Sequence, residues 1–171
     1  MKKDKNTGEI LIAAFDSLNY YHKDETMVAL GLSAYEAYCE ITKDTPFLVR
    51  SAFFIRDKIS ALAGVKKIKG FSNIKPTQVP KIGEYLDFFM VEHISKDEIA
   101  LTSRDKHLSV MIFIQMKKMD NEKQKLTLVA SVINHNFFGY LYMLPVAPAH
   151  KIIVASTLKK VAYSEPKKSI A

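Results

Sequence analysis

His107 and His150, with Asp105 two residues before the first, are the side chains best suited to moving protons near neutral pH. A free imidazole has a pKa of ~6.5, so two rings facing one cavity would serve as acid and base, and Asp105 would orient one of them. Each ring also has a plainer use, a hydrogen bond to backbone at a strand end or a helix start. Asn136 and Gly139 suit a turn closing the last strand. Tyr140 and Tyr142 either bring hydroxyls to a cavity mouth or pack at helical spacing. Arg56 flanks an apolar helical stripe, where it would meet a ligand acid or pair with Asp57 or Glu36. The candidate ligand-binding set is therefore His107, Asn136, Tyr142, His150 and Arg56.

Other chemistries find little footing. His107, His135, His150 and Asp105 show no recognised metal-ligand spacing, and no His-x-His or Glu-x-x-His pair occurs. No metal is expected. There is no phosphate loop, Gly-x-Ser-x-Gly elbow or dinucleotide fingerprint, and no cofactor is expected.

The elements that must position these residues can be read in order. Residues 1–8 look like a polar tail and 16–21 like a first strand. Ser33, with Glu36 three residues on, is a capping-box pattern for a short helix to about residue 41, with Tyr35 and Cys39 on one face. A second helix is predicted from Thr45 as N-cap, Pro46 at the first position, and Gly64 as the stop. Leu48, Ala52, Ile55, Ile59 and Leu62 recur along it at helical spacing. Residues 65–81, rich in Lys, Gly and Pro, read as a connection.

Strands are then expected over 84–92, 98–103, 108–118 and 126–135, separated by short polar breaks that make neighbours antiparallel. In the third, Leu108, Val110, Ile112, Ile114 and Met116 alternate with Ser109, Met111, Phe113, Gln115 and Lys117. A final helix follows, kinked or restarted at Pro145 and Pro148, with His150, Ile153, Val154, Thr157 and Val161 on the face that meets the sheet. The order of strand, two helices, antiparallel strands and one long C-terminal helix predicts an α+β helix-grip fold. Its curved antiparallel sheet wraps around the last helix without being filled by it, leaving a cavity.

With 171 residues and 48% apolar content, positions 1–163 are expected to form one domain and 164–171 a flexible tail. A core of that size needs neither disulfide nor metal. The single cysteine, Cys39, has no internal partner and suits packing beside Tyr35 and Tyr38; a reduced, cytoplasmic setting fits. The net charge of +7 comes from lysines in short clusters along the whole chain. That scatter argues against a dedicated surface for nucleic acid or anionic lipid. Residues 137–149 are interrupted by Gly139, Pro145 and Pro148 and fall short of the ~20 needed to span a bilayer, so no transmembrane segment is expected. Oligomeric state has no signature in the sequence.

Residues 44–162, about two-thirds of the chain, resemble an uncharacterised bacterial domain-of-unknown-function family, numbered twenty-eight sixty-seven. The matching text begins with Thr45-Pro46-Phe47, Ile55-Arg56-Asp57 and Gly64-Val65. It continues through Ile82-Gly83, Asp105-Lys106-His107-Leu108, His135-Asn136, Gly139, Tyr142, Pro145 and Pro148-Ala149-His150. The family is grouped with the START-like helix-grip proteins: lipid carriers, polyketide cyclases and pollen-allergen-type binders. Tyr140 stands where an arginine is common in the family. The resemblance implies a START-like fold with a pocket holding a small apolar or aromatic molecule. The alternative is a cyclase or dehydratase using His107 and His150 as acid and base.

Overall fold

The computed structural model describes residues 1–4, 7–43, 78–120 and 122–163. Within them an antiparallel sheet of six strands carries a short helix and a long C-terminal helix, an α+β architecture. In chain order the strands are β1 (Lys2–Lys3), β2 (Ile10–Leu11), β3 (Tyr20–Ala29), β4 (Tyr85–Leu86), β5 (Phe89–Ile94), β6 (Glu98–Arg104), β7 (Leu108–Lys118) and β8 (Lys123–Asn134). The helices are α1 (Ala34–Lys43) and α2 (Phe137–Tyr163).

Strands β5 to β8 form a meander because short polar turns close them. Asp105 Oδ1 accepts the backbone N–H of His107 at 2.7 Å and of Leu108 at 3.0 Å. Asp120 Oδ1 does the same for Glu122 and Lys123 at 2.9 and 2.6 Å. Such side-chain-to-backbone bonds are why Asp favours turns. Strand β3 then lies beside β8, with Tyr20 opposite Val132 and Ala29 opposite Lys123, giving the order β3-β8-β7-β6-β5-β4.

Alternation along the strands sorts two apolar faces. Leu126 and Leu128 of β8, Ile114 and Met116 of β7, and Ile99 and Leu101 of β6 pack beneath Tyr35 and Tyr38 of α1 and Val154, Leu158 and Val161 of α2. On the opposite face Ala100, Met111, Phe113 and Val129 lie under Ile10, Leu11 and Ile12. Ile12 N–H donates to Ser131 Oγ at 3.1 Å. Buried Glu9 accepts from Tyr21 Oη at 2.9 Å and pairs with Lys23 at 3.0 Å. The sheet is thus covered on both sides, which explains why β8 reads as a nearly continuous buried run.

Several expectations change. The first strand is ten residues, Tyr20–Ala29, and starts later than expected; Phe15–Ser17 is a 3-10 turn. Residues 1–8 are more than a tail, because Lys2–Lys3 pairs with Ile10–Leu11. The expected strand over 84–92 is folded into a hairpin at Asp87, whose φ of 57° reverses the chain after Leu86. Pro145 and Pro148 do not interrupt α2, which runs unbroken from Phe137 to Tyr163. The carbonyls they leave unpaired belong to Leu141 and Leu144, both exposed, so water can satisfy them. The capping box of α1 forms as read: Ser33 N–H donates to Glu36 Oε2 at 2.8 Å, and Glu36 N–H to Ser33 Oγ at 3.2 Å. The expected helix beginning at Pro46, most of the 65–81 connection and the 164–171 tail lie outside the described residues.

Asn136 is the N-cap of α2. Its Oδ1 accepts from Gly139 N–H at 3.3 Å and its carbonyl from Tyr140 N–H at 3.4 Å. The next turn presses on the β6–β7 connection so closely that a Cβ built on Gly139 would overlap the His107 carbonyl oxygen. A Gly-to-Ala change inside a helix ordinarily stabilises by ~1 kcal/mol. Here we expect Gly139→Ala to destabilise by about 1–3 kcal/mol through overpacking. The reading is a lower urea midpoint with unchanged slope; a stabilised variant would contradict the close approach.

Candidate functional site

The sequence-flagged residues occupy two places on α2. The first is its N-terminal end. Asn136 Nδ2 donates to the Lys106 carbonyl at 2.9 Å, which orients the amide so that Oδ1 faces the His107 ring. His107 Nδ1 therefore carries the proton and donates to Asn136 Oδ1 at 3.1 Å. Its Nε2 is buried, with no hydrogen-bond partner among the described residues. The ring also meets Phe138 edge-on at 5.6 Å. Asp105 uses Oδ1 to hold the turn backbone, as described above. His135 reaches Ser109 Oγ through Nε2 at 2.8 Å.

The second place lies further along α2, where it crosses β3. Tyr20 Oη donates to the Ala147 carbonyl at 3.3 Å and accepts from His150 Nδ1 at 3.4 Å. Period-two alternation sets His22 on the same face of β3 as Tyr20. The His22 and His150 rings meet nearly perpendicular with centroids 5.4 Å apart. His22 Nδ1 is buried and has no hydrogen-bond partner among the described residues. Desolvation, with a smaller push from His22, lowers the His150 imidazole to about 4. Burial lowers His22 as well, against the opposing pull of Asp24. At neutral pH both rings are uncharged acceptors and donors.

Between the two places runs an apolar patch of Leu108, Val132 and Met143, with Val110, Tyr142, Val146 and Ala147 packed against it. His107 and His150 are not brought together. His107 is held by Asn136, and His150 lies 14 positions further on, about 21 Å at ~1.5 Å per helical residue. Arg56 lies outside the described residues. Among the described residues no group of three or more His, Cys, Asp or Glu could hold a metal ion. Sequence reasoning missed Tyr20 and His22. Their one signal was a spacing of two residues, which puts both on one face of any strand.

The lowered His150 has a consequence for stability. Its folded pKa sits below the unfolded value of 6.5, so the unfolded chain binds more protons between the two. Stability is complete above pH 6.5 and is lost progressively as pH falls toward 4, by roughly 2–3 kcal/mol for a shift of this size. His22 acts in the same direction. We expect the urea midpoint to fall more steeply over this window in the native chain than in His150→Leu. Parallel pH profiles would show that the ring is not desolvated.

No curated protein matches the chain. Six chains of solved structure match it, among them a conserved protein from Geobacillus kaustophilus. That protein is 11% identical, with a TM-score of 0.41, over 84% of this chain and 93% of its own. Residues 15–157 match the family described as a protein of unknown function, DUF2867. They take in β3, the whole meander and most of α2, and on that match the chain belongs to this family of unknown function.

Proposed function

We propose that the protein is a START-like helix-grip binder that takes a small apolar or aromatic ligand between the sheet and α2. One observation carries the reading: the buried His22 Nδ1 without a partner, beside an uncharged His150. A buried polar atom left unpaired costs roughly 1–3 kcal/mol, and a ligand hydroxyl or amide would recover that. The neighbouring apolar patch supplies the rest of a typical small-molecule site, mostly apolar walls with few polar points. Tyr142 belongs to that patch, while Asn136 and the buried Nε2 of His107 mark its far end. Proton transfer by His107 and His150 acting together lacks comparable support, because no small substrate bridges about 21 Å of helix.

N-phenyl-1-naphthylamine, an uncharged dye with one N–H donor that brightens in apolar surroundings, tests the reading on the full chain. We expect saturable brightening that His22→Phe weakens by about tenfold, the value of roughly one hydrogen bond. His150→Leu should act similarly, and Leu144→Asp, on the exposed side of the helix, should leave it unchanged. No brightening in the native chain, or equal brightening in both histidine variants, would end the proposal.

A further inference from the structure

The outward face of α2 is unusual for a helix docked on a sheet. Phe137, Leu141, Leu144, Pro148 and Ile152 follow at steps of three or four residues, forming one stripe about 22 Å long. Phe137 is 74% exposed, Leu144 72% and Ile152 63%. Scattered exposed apolar side chains are ordinary, but a contiguous stripe marks a contact surface. Phe137–Ala162 is long and apolar enough to cross a membrane by length and composition. Yet Val154, Leu158 and Val161 on its other side are built into the core, so the helix is fixed along the sheet with one face outward.

The charges say what covers that face. From Phe137 to Tyr163 there is no Asp or Glu, while Lys151 and Lys159 are exposed at the C-terminal end of the stripe. The whole chain carries +7. A second copy docked through the same stripe would set lysine near lysine with no carboxylate on the helix to pair them. An anionic lipid surface supplies both missing parts, an apolar layer for the stripe and negative headgroups for the lysines. Lysines scattered through the sequence carry no such signal; the helix is what gathers cation and apolar surface together.

We propose that α2 lies lengthwise on an anionic membrane surface through this stripe, a role independent of the ligand reading above. The full chain would be spun with vesicles of phosphatidylcholine alone or mixed with phosphatidylglycerol. It should sediment with the mixed vesicles and stay in solution with the neutral ones. Leu144→Asp should weaken binding by about tenfold or more, and Lys151→Gln by about fivefold. Both positions face solvent, so unchanged thermal midpoints would confirm that the variants fold. Failure to sediment with either vesicle, or undiminished sedimentation of both variants, would overturn the proposal. So would a dimer in sedimentation velocity that Leu144→Asp dissociates.

Discussion

The contact between the first turn of α2 and the carbonyl of His107 is the constraint on which the rest of the helix depends. Only a residue without a Cβ permits it, and Gly139 occupies the position. Asn136 fixes the same turn from the other side, capping the helix while its amide binds Lys106 and His107. With its start pinned in position and rotation, α2 can present only certain residues to the sheet. His150 meets Tyr20 and His22, and Val154, Leu158 and Val161 meet the core. The histidine cluster and the outward apolar stripe are two sides of that one rotation.

The second organising feature is that the sheet has no bare face. The N-terminal segment closes the side away from the helices, and Glu9 ties it down through Tyr21 and Lys23. Residues of β7 and β8 that would otherwise be solvated, such as Met111 and Phe113, are fully buried there. Among the described residues five buried side-chain atoms lack a hydrogen bond; Glu9 and His93 each lie beside an oppositely charged or ionisable partner, Lys23 and Glu98, which leaves His22, His107 and Asn134. Since the great majority of buried polar atoms are paired, these three, with neither a hydrogen bond nor an ion pair among the described residues, mark where the fold departs from the rule.

Much of this was legible in the sequence because single physical rules govern the elements concerned. Strand β7 shows unbroken alternation, and its bounds are those of the pattern, Leu108–Lys118. Ser33 and Glu36 announced α1 through reciprocal capping, and Asn136 and Gly139 announced the turn into α2. The extent of β3 beyond Tyr21 was hidden because it is an edge strand whose Lys23 and Glu25 bond to each other and to Glu9 and Lys125 on the outer face. No apolar alternation survives there, and His22 was hidden with it. The hairpin at Asp87 was missed because Asp rather than Gly takes the positive φ. Pro145 and Pro148 suggested a break, but the carbonyls they leave unpaired belong to the exposed Leu141 and Leu144, and the helix continues.

Pairing β3 with β8 joins segments from opposite ends of the chain, Tyr20 to Val132. A growing polypeptide emerges N-terminus first, so β3 must wait beside the ribosome until nearly everything else has been made. The meander from β5 to β8 can zip locally, each hairpin closing on its own turn. Completion of the sheet is then a late, long-loop event of the kind that slows folding. The charged side chains of β3, Lys23, Asp24 and Glu25, keep that waiting segment from adhering to another unfinished molecule.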